Sequence, residues 1–228
     1  YPRAREFYEE RASNLQEKLD RIVGWQKKWG DDAFNLKEIL SEDEWETAAA
    51  SITNAHFTSF DVIENIWKAV ERLGYQGGVA LEPAGGIGHF FGAMPENLAN
   101  RTDAVGVELD SISGRIFGKL YPEAQVFVKG YQDAPIEPGA ADLVISNVPF
   151  ENTSAIDDKS LGKTPSFNLH NYFFAKALQS AKPGGIVAFI TSSYTMDASG
   201  AQRRWLAKHG DLVGAIRLPN TAFKKNAG

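Results

Sequence analysis

Val79-Ala80-Leu81-Glu82-Pro83-Ala84-Gly85-Gly86-Ile87-Gly88-His89-Phe90 is the stretch that decides the fold. An apolar run of strand length meets an acid, a proline and three glycines, and apolar residues then resume. Glycines let the backbone turn tightly and let a ligand approach it, and a helix starting behind them presents free N–H groups. Outward from this point the pattern repeats. Apolar runs at Ala104–Glu108, Ala124–Val128, Asp142–Ser146, Ile186–Thr191 and Leu212–Arg217 are expected strands. Helices are expected near His89–Met94, Ser111–Leu120, Leu169–Ala181 and Ala201–Lys208. Continuous apolar strands alternating with helices predict an α/β fold, a mostly parallel sheet with helices on both faces.

Upstream the rhythm is purely helical. Thr58 and Ser59 precede Asp61–Val70, whose apolar spacing is that of a helix ending at Gly74. Ser41-Glu42-Asp43-Glu44 reads as a capping box, and Arg3–Trp29 as a charged amphipathic helix with Leu15, Leu19, Ile22 and Trp25 on one face. Residues 1–56 are therefore expected to form an N-terminal helical extension, a brace on the domain or a partner-binding segment, and residues 57–228 the α/β domain. A start at Tyr1 and an end without a closing element predict a piece of a larger protein.

Composition narrows the chemistry. With 228 residues, 43% of them hydrophobic, the chain can bury a full core. Zero cysteines exclude disulfides and thiolate chemistry, and the four histidines lack ligand spacing, so no metal is expected. No apolar run is long enough to span a bilayer, which predicts a cytoplasmic protein without a membrane partner. A net charge of −5 means that any grip on DNA is local or supplied by another domain.

Parallel α/β sheets bind ligands beyond the carboxyl ends of their strands. Glu82, directly ahead of the glycines, would repel a pyrophosphate and favour a cationic cofactor; S-adenosylmethionine carries a sulfonium and an ammonium and no phosphate. The next strand ends in Gly106-Val107-Glu108-Leu109-Asp110, where Glu108 can accept ribose hydroxyls and Asp110 can cap the following helix. Asn147-Val148-Pro149-Phe150 closes another apolar run. Its amide oxygen and the carbonyl of Val148 or Pro149 suit the two protons of a ring-conjugated amine, and Phe150 suits the ring.

The ordered set Thr58, Glu82-Pro83-Ala84-Gly85-Gly86-Ile87-Gly88, Gly106–Asp110, Asn147–Phe150 and Lys182-Pro183-Gly184-Gly185 resembles the N6-adenine DNA methyltransferases whose cofactor loop precedes the catalytic tetrad. It is closest to the methylase modules of methylase-helicase or antirestriction-like proteins of phages and conjugative elements. The resemblance runs from Phe57 to the C-terminus and implies a Rossmann-like S-adenosylmethionine-dependent methyltransferase fold. By it, Thr58, Glu82, Ala84, Gly85, Gly86 and Gly88 would surround the methionine part of the cofactor, Glu108 would hold the ribose, and Leu109 would also bind the cofactor. Tyr131, Gln132 and Phe173 would bound its adenine. Asn147, Val148, Pro149 and Phe150 would be the catalytic tetrad, with Asn147 also at the cofactor, and Phe150 and Phe223 would stack on the target base. The partner implied is DNA, its adenine flipped out or single-stranded, engaged through domains outside residues 1–228. Members with an acid near Tyr131 bond the cofactor adenine through it; here Tyr131-Gln132-Asp133 leaves that contact to Gln132, Asp133 or the backbone.

Two rivals stand at this point: a methyltransferase acting on a protein glutamine amide, and a degenerate methylase fold serving as a DNA-binding or assembly module. Glu151–Phe167 reads either as a mobile loop or as a substrate-ordered lid, and Arg203, Arg204, Lys208, Lys224 and Lys225 as a solvated surface or a phosphate-facing one.

Overall fold

The structure, a computed structural model, describes residues 35–46, 58–150, 156, 158–197, 200–219 and 222. The expected helix Arg3–Trp29, Phe223, Lys224 and Lys225 lie outside them. The chain divides into two units, 1–49 and 50–228. In the first, helical turns cover 35–39 and 42–46. The capping box forms there: the Ser41 N–H donates to the Glu44 carboxylate at 3.0 Å and the Glu44 N–H donates to Ser41 Oγ at 3.3 Å.

The second unit holds five parallel strands, β1 (Gly78–Glu82), β2 (Thr102–Glu108), β3 (Gln125–Val128), β4 (Ala141–Asn147) and β5 (Ala181–Ile190), in the order β3-β2-β1-β4-β5. The chain builds outward from β1 to β3 on one side and returns to place β4 on the other. The loops after β1 and β4 therefore leave in opposite directions, which opens a crevice at the carboxyl ends of the central strands. Register aligns what stands there. Glu82 pairs with Gly106, so Glu108 reaches two residues further, and Leu81 pairs with Val144, so Asn147 lies three residues further.

Among the described residues the longer helices of this unit are α1 (Phe60–Arg72), α2 (Ser111–Leu120), α3 (Leu169–Ser180) and α4 (Gly200–Leu206), with single helical turns at His89–Gly92, Glu96–Ala99 and Tyr194–Asp197. The pleat sorts side chains between two cores. Ala80, Leu143 and Ile145 pack with Ile63, Trp67 and Val70 of α1 and Phe117 of α2. Leu81, Val107 and Val144 pack with Tyr172, Phe173, Ala175 and Ala177 of α3, and Trp205 and Leu206 of α4 rest on that face. Ile63, Trp67 and Val70 follow one another at helical spacing, and the Trp67 indole N–H finds the Phe90 carbonyl at 2.8 Å. Asp110 caps α2 by accepting the N–H groups of Ile112 and Ser113, as its position predicts.

One expected strand is absent. Residues Leu212–Arg217 are described but belong to no strand; Leu212, Val213 and Ile216 are 69%, 73% and 87% exposed. Strand character is realised only in a ladder, and among the described residues β5 pairs on one side, with β4 alone. At the start of β5, Ala141 pairs with Ala181 but Leu143 with Ile186, so Lys182-Pro183-Gly184-Gly185 bulges out of the ladder. Among the described residues no helix is long and apolar enough to cross a membrane.

Candidate active site

Four segments converge on the crevice: the glycine loop after β1, the acidic end of β2, the tetrad after β4 and the entry to α1. The loop is pinned from three sides. The Gly85 N–H donates to the Val107 carbonyl at 3.0 Å and the Gly88 N–H to the Gly85 carbonyl at 2.8 Å. Ser146 Oγ, in the last turn of β4, donates to the Ala84 carbonyl at 3.3 Å. The Glu108 carboxylate accepts the Gly86 N–H at 2.7 Å on one oxygen and the Asp110 N–H at 2.8 Å on the other. Glu108 thereby clasps the glycine loop to the start of α2 and keeps further lone pairs for a ligand.

The glycines divide into two kinds. A Cβ at Gly85, Gly88 or Gly106 would run into the ring of Phe117, which is fully buried and packed edge-on against Tyr121. Gly85 and Gly106 are bare because an aromatic ring from α2 fills the space, and Gly88 also because its φ of +86° is left-handed and the Tyr121 ring stands as close as that of Phe117. Gly86 differs in its surroundings: its φ of +54° is left-handed like that of Gly88, but a Cβ there would meet nothing within 4 Å. It is the loop glycine with open space above it.

Two carboxyls give the crevice its charge. Glu82 is 2% exposed and its Oε2 has no hydrogen-bond partner among the described residues. Burial, with the Glu108 carboxylate beside it, holds its carboxyl well above the usual range. Burial raises Glu108 too, against the amides that bond it. An orphaned buried carboxyl, an open glycine and Leu109, 75% exposed between Glu108 and Asp110, make a surface that fits a cationic nucleoside.

The tetrad is held by β5, one neighbour of its strand. Asn147 pairs with Ile190 of β5, the ladder continues as the Val148 N–H donates to the Ile190 carbonyl at 3.2 Å, and the Val148 side chain is buried. Pro149 and Phe150 are half-buried, Phe150 packing toward the α1 core. Thr58 is buried at the entry of α1, whose Phe60 ring lies 5.3 Å from that of His89, just behind the glycine loop.

Other expected contacts sit deeper. The Tyr131 side chain is 3% exposed and shares a 2.8 Å hydrogen bond with Ser180, and its ring packs 5.6 Å from Phe173, itself 7% exposed. Both rings are built into the core between β3 and α3. Beyond them Gln132 is half-buried, donating to the exposed Asp133 at 2.8 Å, so polar groups at this end of the site come from Gln132 and Asp133.

Phe117 and Ser146 were missed from sequence. Ser146 carried a signal, a hydroxyl inside the apolar run Leu143-Val144-Ile145. Phe117 carried none, because an aromatic on an amphipathic helix reads as ordinary core. The segment after the tetrad is also anchored in a way spacing does not show. Asp158 accepts from Lys176 Nζ at 3.0 Å and from the Tyr172 hydroxyl at 2.9 Å, with both charged side chains almost wholly buried.

Residues 105–221, just over half of the chain and the span that holds Glu108 and the tetrad, match the Eco57I restriction-modification methylase family. The chain belongs to that family. Among curated proteins it is 28% identical to Defense against restriction protein B of Escherichia phage P1, over 83% of this chain but 8% of that protein. The chain thus spans a small part of the relative it matches. In fold it is similar to a class I S-adenosylmethionine-dependent methyltransferase from Listeria monocytogenes, with a TM-score of 0.60 and 18% identity over 75% of this chain and 58% of that one. It is also similar to the methyltransferase subunit of a type I restriction-modification system from Streptococcus thermophilus, with a TM-score of 0.57 and 15% identity over 69% and 38%. The Rossmann-like methyltransferase fold expected from the motifs is the fold observed.

Proposed function

We propose that this chain is the methyl-transfer domain of an S-adenosylmethionine-dependent DNA methylase that acts in the cytoplasm on the N6 amino group of adenine. One observation carries the reading: Glu82, Glu108 and Asn147–Phe150 stand together at the carboxyl ends of adjacent strands, around the point where strand order reverses. Family membership supports it, as do relatives named for restriction modification and for defense against restriction.

Glu108 would hold the ribose hydroxyls, Gly86 would leave room for the methionine part, and Leu109 would lie along the cofactor's adenine. When bound, the cofactor supplies an electrophilic methyl group. The acceptor amine is a poor nucleophile, because its lone pair is delocalised into the ring. The Asn147 side-chain oxygen and the carbonyl of Val148 or Pro149 accept its two protons, which favours a pyramidal nitrogen with an available lone pair. Those dipoles also face the positive charge that develops on nitrogen, and the anchoring of the tetrad by β5 fixes them beforehand. Phe150 stacks on the base once it has left the duplex. A second stacking ring from Phe223 and recognition by further domains belong to the same reading.

Calorimetric titration with S-adenosylmethionine tests it. Glu108→Ala is expected to weaken binding by about two orders of magnitude, on the order of two lost charged hydrogen bonds. Asn147→Ala is expected to keep cofactor binding and to abolish methylation of adenine-containing DNA, read by product analysis against protein substrates. No binding at millimolar cofactor removes the enzymatic reading; methylation of glutamine in place of adenine replaces the substrate.

A further inference from the structure

A carboxyl that is 2% exposed, with one oxygen lacking any hydrogen-bond partner among the described residues, is an expensive thing for a fold to keep. Glu82 sits at the end of β1, opposite Gly106 and directly ahead of the glycine loop. The ionisable groups that interact with it are Glu108, from the end of β2, and the Tyr121 phenol, from the residue after α2. Both are acids, and no ion pair joins Glu82 to a cation among the described residues. Glu108 itself is employed, with an amide on each oxygen. Tyr121, which burial and Glu82 push upward, stays neutral at ordinary pH.

A buried carboxyl with acidic neighbours and no cation is stable as the neutral acid. A ligand that brings its own positive charge reverses this, since a cation within a few ångströms in a water-poor site favours the carboxylate. Resting on the cofactor reading above, we propose that Glu82 is the charge-selecting residue of the site: it is protonated in the free chain and gives its proton to solvent when a cationic ligand binds. In balance, the O–H bond of Glu82 breaks, the electron pair stays on Oε2 as a carboxylate facing the ligand cation, and H⁺ passes to the buffer. Nothing is oxidised or reduced.

This predicts a cofactor affinity that rises with pH. Below the pH at which free Glu82 ionises, each unit of lowered pH weakens binding about tenfold. Neutral nucleosides gain nothing from the ionised form and show no such slope.

Calorimetry with S-adenosylmethionine in two buffers of different ionisation enthalpy, at pH 6 to 8, counts the protons released. Wild type is expected to release close to one proton per site. Glu82→Gln copies the shape of the protonated acid and is expected to fold; it binds more weakly, with about one proton fewer released and a flatter pH dependence. Wild-type binding without proton release, or equal release from Glu82→Gln, overturns the proposal while leaving the cofactor assignment intact. Failure of wild type to bind S-adenosylmethionine at all overturns both.

Discussion

Asp142 and Glu82 occupy opposite ends of the central strands, and the difference between them separates structure from chemistry. Asp142, at the start of β4, has a cation: its Oδ2 accepts the Val79 N–H at 2.8 Å and a hydrogen bond from Lys182 Nζ at 2.7 Å, tying β1, β4 and the bulge of β5 together. Gly78 beside it has a left-handed φ of +99°, and a Cβ there would also strike the carboxylate. Burial pushes Asp142 upward, but Lys182 and the Val79 amide outweigh this and hold it below the usual range. Glu82, at the end of β1, has every disadvantage of burial and no cation, and it is held well above that range. One end of the sheet completes its polar groups internally; the other leaves one for a visitor.

The comparison can be broken or sharpened by substitution. The largest effect belongs to a third carboxylate, Asp158, paired with Lys176 where both side chains are about 5% exposed. Lys176→Met leaves that charge uncompensated and is expected to cost about 3–5 kcal/mol in denaturant unfolding. A cost under 1 kcal/mol would place Asp158 with Glu82 and not with Asp142. Next is Asp142→Ala, which strands the Val79 N–H and frees Lys182, for about 1–3 kcal/mol. Because the folded carboxylate is depressed, its contribution is present above about pH 4 and lost as pH falls through the folded value. Wild type and Asp142→Ala are therefore expected to converge in stability in acid.

Glu82→Gln is expected to have the smallest effect, with the opposite sign. The native state holds a proton there that the unfolded chain gives up above about pH 4.3, so stability without ligand falls as pH rises through that window. Removing the group is expected to raise the melting temperature at pH 7. A drop like that of Asp142→Ala would mean that Glu82 is a satisfied structural acid.

Much of the fold was legible because strands covered on both faces carry continuous apolar runs, which mark β1, β4 and the later halves of β2 and β5. The same logic failed at Leu212–Arg217, where apolar strand-like residues say nothing about whether a neighbouring strand stands beside them. In the site, Glu82 could be read as unsuited to phosphate, and Asp110 as a cap, since both readings depend on local spacing. Tyr131 could not be oriented: an aromatic at the end of β3 faces ligand or core according to Ser180, 49 residues away. The reason for the glycines was equally hidden, as Phe117 lies far downstream of Gly85.

That ring has a consequence for how such a loop can vary. Phe117 is a gauge against which β1's loop and β2's end are both set, so positions 85, 106 and 117 cannot drift one at a time. An alanine at Gly85 or Gly106 calls for a smaller residue at 117, and a smaller residue at 117 loosens the other. Relatives, or designed variants, are expected to change these three positions as a set.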